Sequence, residues 1–161
     1  MGTIRIIGID PGLVITGFGI LDHEKNQTRL AAYGTIRPPR KISLSDRLEY
    51  LNFHMLEVLE KFEPQKMAIE DIFYSKNFKS ALGLGQAQAA IILAAASKGI
   101  QCTEYAPRKI KSSVVGNGNA DKRQVQYMVK SILKLEKLLS PLDISDAVAV
   151  GICHLNQNKY I

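Results

Sequence analysis

The sequence predicts an α/β domain with a mixed five-stranded sheet flanked by helices, and three observations predict it. Short β-branched runs fill the first 37 residues, later apolar residues recur at helical spacing, and strand-like runs at 66–69 and 101–105 interrupt the helical part. A length of 161 residues with 46% hydrophobic and 22% charged positions suits one globular domain spanning 1–161.

The run Thr3 to Ile9 is nearly continuous in apolar character, as expected of a central strand covered on both faces, and it ends in Asp10, Pro11 and Gly12. Leu13 to Leu21 and Arg29 to Arg37 read as two further strands around a polar turn at 22–28, a meander closed by Pro38 and Pro39. From Leu44, apolar residues at Leu48, Leu51, Met55, Val58 and Phe62 mark a helix; Ser43 and Asp46 form its capping pattern and Pro64 its stop. Lys66 to Ile69 is a fourth strand ending in Glu70. Residues 76–98 form a helix rich in small side chains that Gly99 ends, and Gln101 to Tyr105 is the fifth strand. GNGNADK at 116–122 reads as a flexible loop. Asp121 and Gln124 then open a helix carrying Val125, Met128, Ile132 and Leu135 inward, and a last helix runs from Asp143 to Gln157.

Cys102 and Cys153 have no metal-ligand spacing and no disulfide framework around them, and the N-terminal apolar run is broken by Arg5 and Asp10, so secretion is not expected. The run Ala89 to Ala96 falls far short of the roughly 18 apolar residues of a membrane span. The expectation is a soluble cytoplasmic protein with no membrane partner. His23 in a turn, His54 on a helix and His154 near the C-terminus read as structural.

The formal net charge is +6, and it is concentrated. Residues 105–135 hold Arg108, Lys109, Lys111, Lys122, Arg123, Lys130 and Lys134 against Asp121 alone, while the remainder balances at 14 basic and 14 acidic side chains. A solvated helix face normally mixes both signs, so this strip points to a polyanion, with nucleic acid the leading class.

Asp10 and Glu70 each end an apolar strand, which sets them at the carboxyl edge of a sheet, where α/β proteins form ligand crevices. Asp143 and Asp146, three apart at a helix start, share a face. Taken singly, Asp10 would serve as a turn residue, Glu70 as a strand end and either aspartate as a cap. Converging, the four would repel one another unless cations neutralised them, and an all-oxygen cluster suits Mg2+ or Mn2+.

GIDPG at 8–12 with TGFG at 16–19, AIE at 68–70, and DISDAVAVGICH at 143–154 resemble the signatures of the RuvC family of bacterial Holliday junction resolvases. The similarity continues through 73–87 and 104–126 and covers essentially the whole chain. The resemblance implies a ribonuclease H-like fold and a catalytic, metal-binding tetrad at Asp10, Glu70, Asp143 and Asp146. It further implies two Mg2+ ions per site, replaceable by Mn2+, and paired nicks in four-way junction DNA that leave 5′-phosphate and 3′-hydroxyl ends. Lys111 and Lys122 match lysines near the scissile region, and Phe73 matches an aromatic that stacks at the opened junction. Arg108, Lys109 and Arg123 join them as DNA-binding candidates from the basic strip. The resemblance also implies a homodimer and the branch-migration partners RuvA and RuvB. GIDPG also resembles the phosphate loop of actin-like ATPases, a fold that needs two such domains. A ribonuclease H acting on hybrids and a DNA-binding module without catalysis remain the alternatives.

Overall fold

The computed structural model describes residues 2–72 and 77–160. Five strands, β1 (Ile4–Asp10), β2 (Thr16–Glu24), β3 (Gln27–Ile36), β4 (Lys66–Glu70) and β5 (Gln101–Tyr105), form one sheet in the order β3-β2-β1-β4-β5. β1 pairs antiparallel with β2 and parallel with β4, so the sheet is mixed, as expected. β4 to β5 is also parallel. α1 (Leu44–Phe62) and α2 (Phe78–Ser97) cover one face; α3 (Pro107–Val115), α4 (Lys122–Ile132) and α5 (Leu142–Asn158) cover the other.

The pleat divides the strands between these layers. Ile7 and Ile9 of β1 pack with Phe18, Ile20, Met67 and Ile69 against α1 and α2, whereas Ile6 packs with Leu21 and Ala68 against α3, α4 and α5. Asp10 has the parity of Ile6 and Gly8, and Glu70 that of Ala68. Alternation therefore directs both acids to the side of the sheet that carries α5.

The hairpin is longer than the sequence suggests. Only Lys25 and Asn26, at φ 47° and 63°, make the turn between β2 and β3, a two-residue connection of the kind that matches strand twist. Asp22, His23 and Glu24 pair in the ladder with Arg29, Thr28 and Gln27. Their polarity is satisfied there: Asp22 accepts bonds of 2.7 and 2.8 Å from the Arg5 guanidinium, and His23 Nδ1 lies 2.9 Å from Thr28 Oγ1. His23 is thus a strand residue, not a turn residue. Leu13 to Ile15, expected in a strand, are loop.

Ser43 caps α1 by accepting from the Asp46 amide at 3.1 Å, and Glu63 ends it in the left-handed region just before Pro64. Asp121 and Gln124 complete a reciprocal capping box at α4, at 2.8 and 2.9 Å. Within α4 Val125 and Val129 are buried and Met128 packs against the same core, as Leu135 does beyond the helix end; Ile132 is 40% exposed, because the helix stops there and the returning chain buries Leu133 in its place. α2, 20 residues long and largely apolar, matches a membrane span by length and composition, unlike the shorter run read from the sequence. Its Ala87, Ala90, Ile91, Ala94 and Ala95 are buried in the core formed with α1.

Candidate active site

β1 and β4 are parallel neighbours with Ile9 opposite Ile69, so Asp10 and Glu70 follow side by side at the same sheet edge. On the other side of β1, Asp10 pairs with Gly17. α5 begins directly over this point, since a Cβ placed on Gly17 would overlap the Asp143 carbonyl. Close approach of helix and sheet brings Asp143 and Asp146 toward the two strand-end acids. Ser145 Oγ and Gln126 Nε2 fasten the helix start by donating to the Leu139 carbonyl at 3.1 and 2.8 Å.

The acids influence one another strongly. Burial first, then the charges of Glu70 and Asp146, a hydrogen bond to Glu70 and the charge of Asp143 push the Asp10 carboxyl up to about 9 from its ordinary 3.8. In the metal-free protein the Asp10–Glu70 pair therefore holds a proton well above the ordinary carboxylate range. Burial also raises Glu70, against the pull of the Asp10 hydrogen bond, Lys122 and Lys111. Asp146 is raised by burial despite Lys122, whose Nζ lies 3.4 Å from Asp146 Oδ2. The same pair raises the Lys122 ammonium.

Asp10, Glu70, Asp143 and Lys122 line one cleft of about 610 Å³. Among the described residues no group of three or more His, Cys, Asp or Glu side chains is set to hold a metal ion. The site is an open cleft whose donor set is oxygen throughout. A retained proton and Lys122 offset carboxylates that repel one another, which is the condition a divalent cation relieves.

Of the basic residues singled out from the sequence, Lys122 enters the cleft from α4, and Lys111 of α3 is close enough to act on Glu70 and Asp146. Arg108, Lys109 and Arg123 are exposed on the same two helices. Phe73 lies outside the described residues. His154 sits between Tyr105 and Tyr160, each hydroxyl 2.8 Å from a ring nitrogen, and burial lowers its pKa, in keeping with a structural role.

A family model for RuvC, crossover junction endodeoxyribonuclease, matches residues 6–154. The chain belongs to the RuvC family. A Finegoldia magna RuvC is 42% identical over 157 residues, covering 98% of this chain and 96% of the relative. A Thermus thermophilus RuvC structure superposes with a TM-score of 0.86 at 28% identity, covering 97% of this chain and 96% of that one. T. thermophilus RuvC in complex with Holliday junction substrate gives 0.89 at 28% identity, over 96% and 94% of the two chains. The ribonuclease H-like fold implied by the motifs is thereby borne out.

Two supports of the RuvC cleft were not evident in the sequence. Thr16, fully buried, accepts from the Gly12 amide at 3.1 Å and donates to the Gly12 carbonyl at 2.9 Å. Arg47 of α1 donates to the carbonyls of Leu13, Pro39 and Arg40 at 2.8, 2.9 and 3.0 Å. Together they pin the loop that leaves Asp10. Arg47→Ala removes these bonds, worth about 1–2 kcal/mol at a charged donor, so exchange of the 12–15 amides should rise about tenfold. Hydrogen exchange followed by mass spectrometry checks this; unchanged protection there would remove Arg47 from the loop's support.

Proposed function

We propose that this chain resolves four-way DNA junctions as a two-fold dimer, making paired nicks by metal-assisted hydrolysis that leave 5′-phosphate and 3′-hydroxyl ends. The observation that carries the reading is the meeting, in one cleft beside Lys122, of acids contributed by two parallel strand ends and a helix start. Asp10, Glu70, Asp143 and Asp146 are the oxygen donors that would hold Mg2+, two ions per site, with Mn2+ as a substitute. Bound there, the metal would lower the pKa of the attacking water and stabilise the leaving oxygen.

The remaining tasks fall to side chains. Lys122 and Lys111 offset the charge of the phosphodiester brought against the acids, and Arg108, Lys109 and Arg123 hold backbone phosphates along α3 and α4, fixing register without reading sequence. By the family resemblance, Phe73 stacks at the opened junction.

One chain supplies one set of four acids, whereas a two-fold junction needs two cuts. The outer side of α2 carries Phe78, Leu82 and Leu93 at 81%, 52% and 64% exposure, and with α1 it bounds an apolar groove of about 630 Å³. That face suits a second copy of the chain. A cytoplasmic location and association with RuvA and RuvB accompany the reading.

The test compares a synthetic four-way junction, an RNA:DNA hybrid and a plain duplex in Mg2+. Paired nicks in the junction alone are expected. Single amide variants of the four acids should lose at least ~100-fold in rate, more than loss of a residue that merely orients a ligand costs. Preferential cutting of the hybrid would make the protein a ribonuclease H, junction binding without products a binding module, and amide variants of near wild-type rate would overturn the tetrad.

A further inference from the structure

We propose that Lys79, helped by Ser80, grips a backbone phosphate of the substrate strand from the wall of the cleft opposite the basic strip. The inference rests on the junction-cutting reading and adds a contact that the sequence did not suggest, since Lys79 lies far from the 105–135 strip.

Three contacts lay α2 along the cleft. Gln88 Nε2 donates to the Glu70 carbonyl at 3.2 Å. A Cβ on Gly85 would come within 3.1 Å of Ile72 Cδ1, and one on Gly83 within 2.9 Å of Leu13 Cδ1, so the helix lies against the segments leaving both strand-end acids. Lys79 is nine residues before Gln88, roughly 13 Å further out along the helix axis. Lys79, Ser80, Gly83 and Leu84 form this wall, while Lys122 and Pro107 line the cleft from α4 and α3.

A cation on that wall would balance the hold on the strand. Metal held by the acids would serve the scissile phosphodiester and not its neighbours, and cations on one side only would let the strand swing away from the other. Lys122 is already engaged by Asp146. Among the described residues Lys79 makes no ion pair, and its exposed ammonium can take a phosphate without giving up a partner. The Ser80 hydroxyl, one residue on, offers a neutral donor to the same group.

Steady-state cleavage of a synthetic four-way junction in Mg2+, repeated over a salt series, tests this with Lys79→Gln, Lys79→Arg and Ser80→Ala. A lost phosphate contact should raise KM about five- to tenfold for Lys79→Gln and lower the log–log salt slope by about one, with the loss on KM and not kcat. Lys79→Arg should restore both, and Ser80→Ala should raise KM by about twofold with the slope unchanged, because it removes no charge. Thermal unfolding of each variant separates misfolding from lost contact. If wild-type protein cuts the junction and Lys79→Gln keeps its KM and salt slope, or loses kcat at unchanged KM, the grip is overturned. If wild-type protein cuts no junction, the functional reading fails instead.

Discussion

Asp10→Asn should make the metal-free protein more stable at neutral pH while abolishing cleavage. The Asp10 carboxyl titrates near 9 in the folded chain against 3.8 as its ordinary value, because it is buried among Glu70, Asp146 and Asp143. A folded-state pKa raised above the unfolded one means that the native state binds the proton more tightly. The associated stability is complete below about pH 4 and is lost as pH rises toward 9, falling by as much as about 1.4 kcal/mol per pH unit. An amide in place of the acid carries no such slope. At pH 7 to 8, without divalent ions, that slope amounts to roughly 4–6 kcal/mol for an isolated carboxyl; because Glu70 shares the proton, Asp10→Asn should gain about half of it, roughly 2–3 kcal/mol, or about 5–10 °C in Tm for a chain of this size. Millimolar Mg2+ should reverse the order, raising wild-type Tm through binding to the native state alone and leaving the variant nearly unmoved. Calorimetry at pH 5 and pH 8, with and without Mg2+, reads all four conditions. A variant less stable than wild type in EDTA at pH 8 would mean that the four acids do not strain the fold.

The strand-end acids were legible because a strand's period of two and its termination are local properties: an apolar run stopping at Asp10 or Glu70 needs no partner to be recognised. Whether β1 and β4 are neighbours is not a local property; the parallel pairing with Ile9 opposite Ile69 supplies it. α3 was passed over for a related reason. Its nine residues bury only Ile110 and Val114, too few for a period to stand out among lysine, arginine and serine. Arg47 escaped because its three partners are backbone carbonyls, 7, 8 and 34 residues away, and carbonyls leave no signature in a sequence. The overlong turn at 22–28 has the opposite origin. Polar side chains there looked like a loop, and only the Arg5 guanidinium on the neighbouring strand explains how Asp22 stays in the ladder.

Gly17→Ala should be the most damaging single-methyl change near the site. Gly17 pairs with Asp10 across β1 and β2, and an added Cβ would run into the Asp143 carbonyl, with Asp143 C 2.6 Å away. The register repeats the arrangement one step along: Gly8 pairs with Gly19, and a Cβ on Gly8 would overlap the Ala147 carbonyl and lie 2.8 Å from the Gly151 amide nitrogen. Asp143, Ala147 and Gly151 are spaced four apart, so one stripe of α5 rests directly on strand glycines, and that contact carries Asp143 and Asp146 to Asp10. Because the obstacle is backbone, no side-chain rotation relieves it. The helix must lift or the strand must bend, at about 3 kcal/mol or more, the upper part of the range for overpacking. The chemistry should suffer beyond the loss of fold. A shift of about 1 Å in Asp143 relative to Asp10 is enough to cost on the order of 100-fold in kcat. The control is Gly2→Ala, where nothing lies within 4 Å of the new methyl and no change is expected. Junction cleavage by the fraction still folded, measured well below the lowered Tm, separates the two effects. A Gly17→Ala protein with wild-type kcat would mean that α5 reaches the acids by some other support.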